Sequence, residues 1–170
     1  MSDSMIVRAT LADVRAIQQV AHLTWPDTFK EILSPEQIDY MLNWMYNTES
    51  LSASINHPNQ SFWLYREHDE TLGFAGIEHH YNGKNATKLH KIYVLPQDQG
   101  KQIGKQLLEK VISEARNAGS TALLLNVNRY NNATAFYERQ GFRIINEVNI
   151  DIGNGYLMED YEMELSIING

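Results

Sequence analysis

The sequence contains no cysteine, which removes disulfides, thiolate nucleophiles and thiolate metal sites together. Proline is scarce, with four residues in 170, and no Gly/Pro/Ser-rich stretch divides the chain. No apolar run approaches the roughly 18 residues that a membrane span needs. The opening Met1-Ser2-Asp3-Ser4-Met5 lacks the basic-then-apolar order of a secretion signal. These absences lead to the expectation of a cytoplasmic protein with no membrane partner. Basic residues are the minority, 14 Lys and Arg against 21 Asp and Glu, for a net charge of −7. That balance argues against nucleic acid as a partner, because a phosphate backbone calls for clustered cations. It favours a cationic acceptor through steering.

What remains is the composition of an ordinary folded protein, 43% apolar and 21% charged. The length suits one domain spanning 1–170. Residues 5–8 read as a short strand. Thr10 followed by Asp13 is the pattern of a capped helix start, and Leu11, Val14, Ile17 and Ala21 recur at helical spacing. Pro26 is expected to end that helix and leave Trp25 in a loop. Ser34-Pro35-Glu36 opens a second helix with proline at its first position, its apolar face holding Tyr40, Met41, Trp44 and Met45. Asn47 opens a third. The period then becomes two, giving strands over 61–66, 72–81 and 88–94. Residues 100–118 form an amphipathic helix stopped by Gly119. The apolar run 122–127 is expected to be a central strand covered on both faces. A helix over 131–140 and closing strands near 142–151 and 156–167 follow. The order predicts an α+β (α/β-like) fold built on one mixed sheet.

Two segments carry chemistry. In Ile92-Tyr93-Val94-Leu95-Pro96-Gln97-Asp98-Gln99-Gly100-Lys101-Gln102-Ile103-Gly104-Lys105 a strand ends at a proline and a glycine-bearing turn opens a helix. The first N–H groups of a helix lack internal partners and carry partial positive charge. Such a turn suits a pyrophosphate, with Lys101 and Lys105 adding charge; a plain strand-to-helix turn is the other reading. The spacing is neither a dinucleotide fingerprint nor a Walker loop. In the second segment, 126–142, Phe136 and Phe142 read as core, Gly141 as a helix stop and Asn131 as a cap. Tyr137 is left without a structural assignment.

The first segment resembles motif A of the GCN5-related N-acetyltransferase (GNAT) superfamily, [QR]-x-x-G-x-[GA], with Gln99 and Gly104 at its ends. Gln102 stands where the first glycine is usual. A residue in the first helical turn needs no positive φ, so Gln102 is expected to be helical and to point outward. The second segment is similar to motif B, one residue shorter than the commonest version between Asn131 and Ala133. Residues 27–31, 34–36, 47–49 and 158–165 resemble the spermidine/spermine acetyltransferases of the superfamily. The resemblance implies the GNAT fold, a mixed, mostly antiparallel sheet of about seven strands flanked by helices. It implies acetyl-CoA as co-substrate, no metal, and direct transfer to the primary amine of a small molecule in a ternary complex. Polyamines are among the acceptors it implies, and it allows a homodimer. Coenzyme contacts are implied along Ile92, Tyr93 and Val94, at Gln99, Gly100, Lys101, Gln102, Ile103, Gly104 and Lys105, and at Asn126, Asn131, Ala133 and Tyr137. The Val94 N–H would stabilise the oxyanion and Tyr137 would protonate the departing thiolate.

An alkylamine with a pKa near ~10.4 is almost wholly protonated at pH 7, so the reaction needs a base. Strand alternation over 88–94 is expected to put His90, Ile92 and Val94 on one face. The superfamily often places a Glu or His base on this strand, which makes His90 the first candidate and Glu78 the second. An exposed strand histidine and a surface carboxylate are the alternatives. The adjacent His79-His80 pair faces opposite ways and shows no metal spacing. Trp25, Tyr40, Trp44 and Tyr46 are the candidates for an acceptor-binding aromatic wall; helical spacing favours the core for Trp44, and Trp25, in its expected loop, is the better candidate. Acetylation of a protein or peptide amine, and coenzyme A binding without turnover, are the competing functions.

Overall fold

Residues 4–168 are described by the structure, a computed structural model. Met1, Ser2 and Asp3 of the opening and the last two residues lie outside that range. The strands are β1 (Ser4–Arg8), β2 (Gln60–Glu67), β3 (Glu70–Glu78), β4 (Ala86–Val94), β5 (Ala122–Asn128), β6 (Arg143–Gly153) and β7 (Tyr156–Ser166). They form one seven-stranded sheet in the order β1-β2-β3-β4-β5-β7-β6. Every neighbouring pair is antiparallel except β4 with β5. Helices α1 (Val14–Phe29), α2 (Pro35–Met45) and α3 (Thr48–Asn56) precede the meander, and α4 (Ile103–Asn117) and α5 (Ala133–Arg139) flank β5 in the chain.

The local signals hold for most of these elements. Thr10 and Asp13 form a reciprocal capping box ahead of α1. Ser34 caps α2 with Pro35 at its first position, and Asn47 caps α3. Pro26 differs: it lies inside α1, which runs on to Phe29. Its ring and the His22 turn it deprives of a hydrogen bond are both exposed, which leaves the freed carbonyl on the solvent side. Trp25 and Phe29 meanwhile bury the opposite face. β5 also differs from expectation. Leu123, Leu125 and Val127 are buried, while Ala122, Leu124 and Asn126 between them are only half-buried. One face of this strand is core and the other borders a cavity.

The functionally decisive irregularity is in β4. Gly76 pairs with Lys91 but Ile77 pairs with Leu89, so His90 is an extra residue in the ladder. A bulge of this kind bends its strand. On the inner half, β4 pairs with β5 through four positions, ending at Leu89 with Leu125. Beyond the bulge β4 continues to Val94 and β5 to Asn128 with no pairing between them. The sheet forks. The bulge also breaks the expected alternation: the register puts Leu89, Ile92 and Val94 on one face, with Ala75 and Gly73, against Leu107 of α4. Lys91 and Tyr93 take the other face, with Phe74 and the α1 side.

Candidate active site

The fork opens into a cavity of about 960 Å3, near the upper end of the ~300–1,000 Å3 usual for ligand sites. At one end lies the loop from Asp98 to Lys105. Gly100 and Gln102 both adopt left-handed backbone, at φ +86° and +67°, and α4 begins only at Ile103. Gln102 is therefore the residue before the helix and not a member of its first turn, which corrects the outward-pointing helical position expected for it. Gly104 is different. Its φ is ordinary, and a Cβ added there would meet nothing nearer than Val94 at 4.0 Å. Glycine inside a helix costs about 1 kcal/mol against alanine, and nothing in the packing requires it here. The space, the unpaired N–H groups at the start of α4 and the unpaired edge of β4 past Leu89 together fit a pyrophosphate and an extended amide chain.

The other sequence-selected residues fall out unevenly. Ile92, Tyr93, Val94, Gln99, Gly100, Gln102, Ile103, Gly104, Lys105, Asn126, Asn131, Ala133 and Tyr137 all line the cavity. Lys101 does not; its ammonium is held 2.8 Å from Asp98 and its side chain is mostly exposed. Gln99 donates to the Val94 carbonyl at 3.1 Å. The Asn131 side chain accepts from Ala133 N–H at 2.9 Å, so it caps α5 from one position earlier than the cap residue itself. Tyr137 is buried against Phe136 and Phe142. Burial pushes its phenol well above the usual tyrosine range, so it holds its proton at neutral pH.

Beyond the bulge, His90 and Glu78 meet: Nε2 lies 2.9 Å from the carboxylate. Tyr81 stands edge-on to the imidazole at 5.7 Å. Facing an acceptor-only carboxylate, the neutral ring carries its proton on Nε2 and leaves Nδ1 as the basic atom. Burial lowers the imidazole below the ordinary histidine value, with Glu78 opposing and Lys91 and Lys88 adding to the shift. Across the fork, Lys88 donates to the Asn126 oxygen, and the Asn126 amide reaches Asp160 at 3.4 Å. His79 sits past the end of β3 and bonds Thr87 at 2.9 Å; among the described residues no cluster of three or more metal-ligating side chains occurs.

Trp25 lines the cavity from inside α1 and not from a loop, and Trp44 lines it as well instead of joining the core. Trp25 is 3% exposed inside α1, while Trp44 is 48% exposed at the cavity mouth. Tyr46, at the end of α2, is 1% exposed and also lines the cavity. Tyr40 instead donates to the Ile152 carbonyl at 2.7 Å, and Gln37 donates to Leu157 at 3.0 Å, tying α2 to the β6–β7 hairpin. Lys88, Lys91 and Asp160 escape sequence reasoning. They belong to no shared motif and converge only through the bulge and the fork.

Residues 29–165 match the family model described as an acetyltransferase (GNAT) domain. The chain belongs to the GNAT acetyltransferase family. It is an N-acetyltransferase acting on amines. The aminoalkylphosphonate N-acetyltransferase of Salmonella typhimurium is 28% identical over 145 residues, covering 82% of this chain and 94% of that protein. The spermidine N(1)-acetyltransferase of Thermoplasma acidophilum is 27% identical over 144 residues, covering 82% and 88%. Among solved structures, the PaiA N-acetyltransferase of Thermoplasma acidophilum in complex with coenzyme A superposes with a TM-score of 0.82. It has 24% identity, over 98% of this chain and 99% of that one. The seven-stranded mixed sheet of this GNAT acetyltransferase is thus the fold its motifs imply.

Proposed function

We propose that the chain, as one domain, moves the acetyl group of acetyl-CoA to the primary amine of a small molecule by direct attack in a ternary complex. The observation that carries this reading is the forked cavity, with an anion-suited loop at one end, a buried protonated phenol in its wall and a His–Glu pair past the bulge. Acetyl-CoA supplies the acyl group as a thioester. Gly100, Gln102, Ile103, Gly104 and Lys105 hold the pyrophosphate with backbone N–H groups, and the free edge of Ile92–Val94 hydrogen-bonds the pantetheine arm. The shared fold of the Thermoplasma structure, a coenzyme A complex, supports coenzyme A as the ligand.

His90 takes the amine proton on Nδ1, with Glu78 fixing the ring's tautomer through Nε2. The Val94 N–H stabilises the oxyanion that develops as nitrogen attacks the carbonyl carbon. When the carbon–sulfur bond breaks, Tyr137 gives its proton to the sulfur. Alignment of the two reactants supplies much of the acceleration, roughly 7–11 kcal/mol in favourable cases. A polyamine acceptor has the spermidine relative in its favour and an aminoalkylphosphonate has the Salmonella relative. A protein or peptide amine is the second reading, favoured by the exposed Trp44 at the mouth.

A coenzyme A release assay with acetyl-CoA against polyamines, amino acids, aminoalkylphosphonates and a lysine peptide tests this, with Tyr137→Phe alongside. Turnover on one class, falling about 10²-fold in the variant with acetyl-CoA binding unchanged by calorimetry, is the expected result. Binding without turnover on any acceptor would leave only a coenzyme A-sensing role, and no binding would overturn the proposal.

A further inference from the structure

Lys91 is a cation without a counter-ion. It lines the cavity on the α1 face of β4, its Nζ 5.6 Å from the Tyr46 ring and 5.8 Å from the Phe62 ring. No described carboxylate forms an ion pair with it, and burial alone lowers its pKa to about 8. A half-buried ammonium resting only on aromatic faces is an uncompensated charge. Beside it in the same wall sit the Trp25 indole N–H and the Tyr46 hydroxyl, which have no partner but each other, and the Thr24 hydroxyl, which has none. Their residues are 3%, 1% and 1% exposed. An indole N–H and an ammonium can only donate. Buried donors left unmade are rare in folded proteins and call for an account.

The carboxylates of the lining do not suit a polycation. Asp98 is taken by Lys101 at the coenzyme end. Asp160 is 3% exposed, faces the Asn126 amide and shares the fork with Lys88. The wall around Lys91, Trp25 and Tyr46 therefore lacks carboxylates and offers donors.

We infer that the amine acceptor carries a small oxyanion group, a carboxylate or phosphonate, received by Lys91 and by the hydroxyl of Tyr46, which the Trp25 indole N–H orients. This deepens the proposed reading and rests on its acceptor site. Lys91 then selects the acceptor by its anionic end, leaving the amine end free toward His90.

The inference is tested by two measurements. First, the protein loaded with coenzyme A is titrated calorimetrically with ethylphosphonate and with propionate, which cannot react. Both bind, and Lys91→Met weakens them at least tenfold, while Trp25→Phe weakens them a few-fold; thermal melts establish that each variant remains folded. Second, kcat/KM is compared for 2-aminoethylphosphonate and β-alanine against propylamine. The charged-end amines lead by at least tenfold, and the ratio falls toward one in Lys91→Met. Absent anion binding, or equal affinity in a folded Lys91→Met, overturns the inference. Preferred turnover of spermidine with that ratio unmoved overturns it too, and leaves acetyl transfer standing. Anion binding without turnover of any amine supports the anion site and overturns the proposed reaction instead.

Discussion

The two ends of the cavity are built from different materials. The coenzyme end is backbone and empty space: Gly100, Gln102 and the first turn of α4, contiguous in the chain. The proposed acceptor end is side chains drawn from α1, the end of α2 and β4, namely Trp25, Tyr46 and Lys91, that become neighbours only in the fold. A backbone site fixes what it binds by geometry that few substitutions can retune. A side-chain site changes its specificity one residue at a time. The common part of the reaction sits where the chain is least free to vary, and acceptor choice sits where it is most free.

Substitutions at the two ends should therefore act on different observables. The largest effect is expected at the bulge, where His90→Ala should lower kcat/KM about 10²-fold while leaving acetyl-CoA affinity unchanged. The wild-type rate has a matching pH signature. Burial places the folded His90 pKa below 6.5, against the facing groups Glu78, Tyr81, Lys88 and Lys91. The neutral base therefore predominates at pH 7, and the rate should fall as pH drops below the ordinary histidine value. The same depressed pKa makes folding stability decline on that acid side, because there the unfolded chain binds more protons. At the coenzyme end, Gly104→Ala should weaken acetyl-CoA binding about tenfold in calorimetry. It should also stabilise the free protein by roughly 0.5–1 kcal/mol, a helix gain with no clash to offset it.

Lys91→Met should do the reverse of an ordinary core substitution and raise stability by about 1–2 kcal/mol in thermal melts, because it removes a charge that nothing compensates. Stability would then be gained at one end by losing a coenzyme contact and at the other by losing an acceptor contact. The smallest effect is at Gln102→Gly, which relieves left-handed strain but adds unfolded-state freedom, for a net change of about 1 kcal/mol or less. Acetyl-CoA affinity should be unaffected, since the backbone, and not the side chain, faces the cavity loop there.

How far each end could be read from the sequence follows from the same division. Gln99, Gly100 and Gly104 are close in the chain and obey fixed spacing, so a motif could carry them, and Tyr137 came with the helix that presents it. The helices and strands were legible from caps and periods for similar reasons. Pro26 was misleading because its breaker character was weighed without the buried Trp25 and Phe29 that hold α1 together. His90 was assigned to the wrong face because a bulge adds one residue to the period, and nothing in the residues 88–94 announces it. Trp44 joins Trp25 in the cavity lining for a related reason: helical spacing tells which residues share a face, not which face the cavity takes. Lys91 and Asp160 had no local signal, since their meaning is the presence or absence of a partner from another strand.

The bond from Tyr40 to the Ile152 carbonyl joins positions 112 residues apart. A Cβ at Gly153 would come within 2.9 Å of that hydroxyl, so the contact tolerates no bulk at the neighbouring turn. Contacts of such long chain separation form late in folding, because most of the loop entropy must be lost before they return anything. The rim of the proposed acceptor end is thus fastened by a contact with a large loop-closure cost, and amide protons of the β6–β7 hairpin and of α2 should gain exchange protection together rather than in sequence.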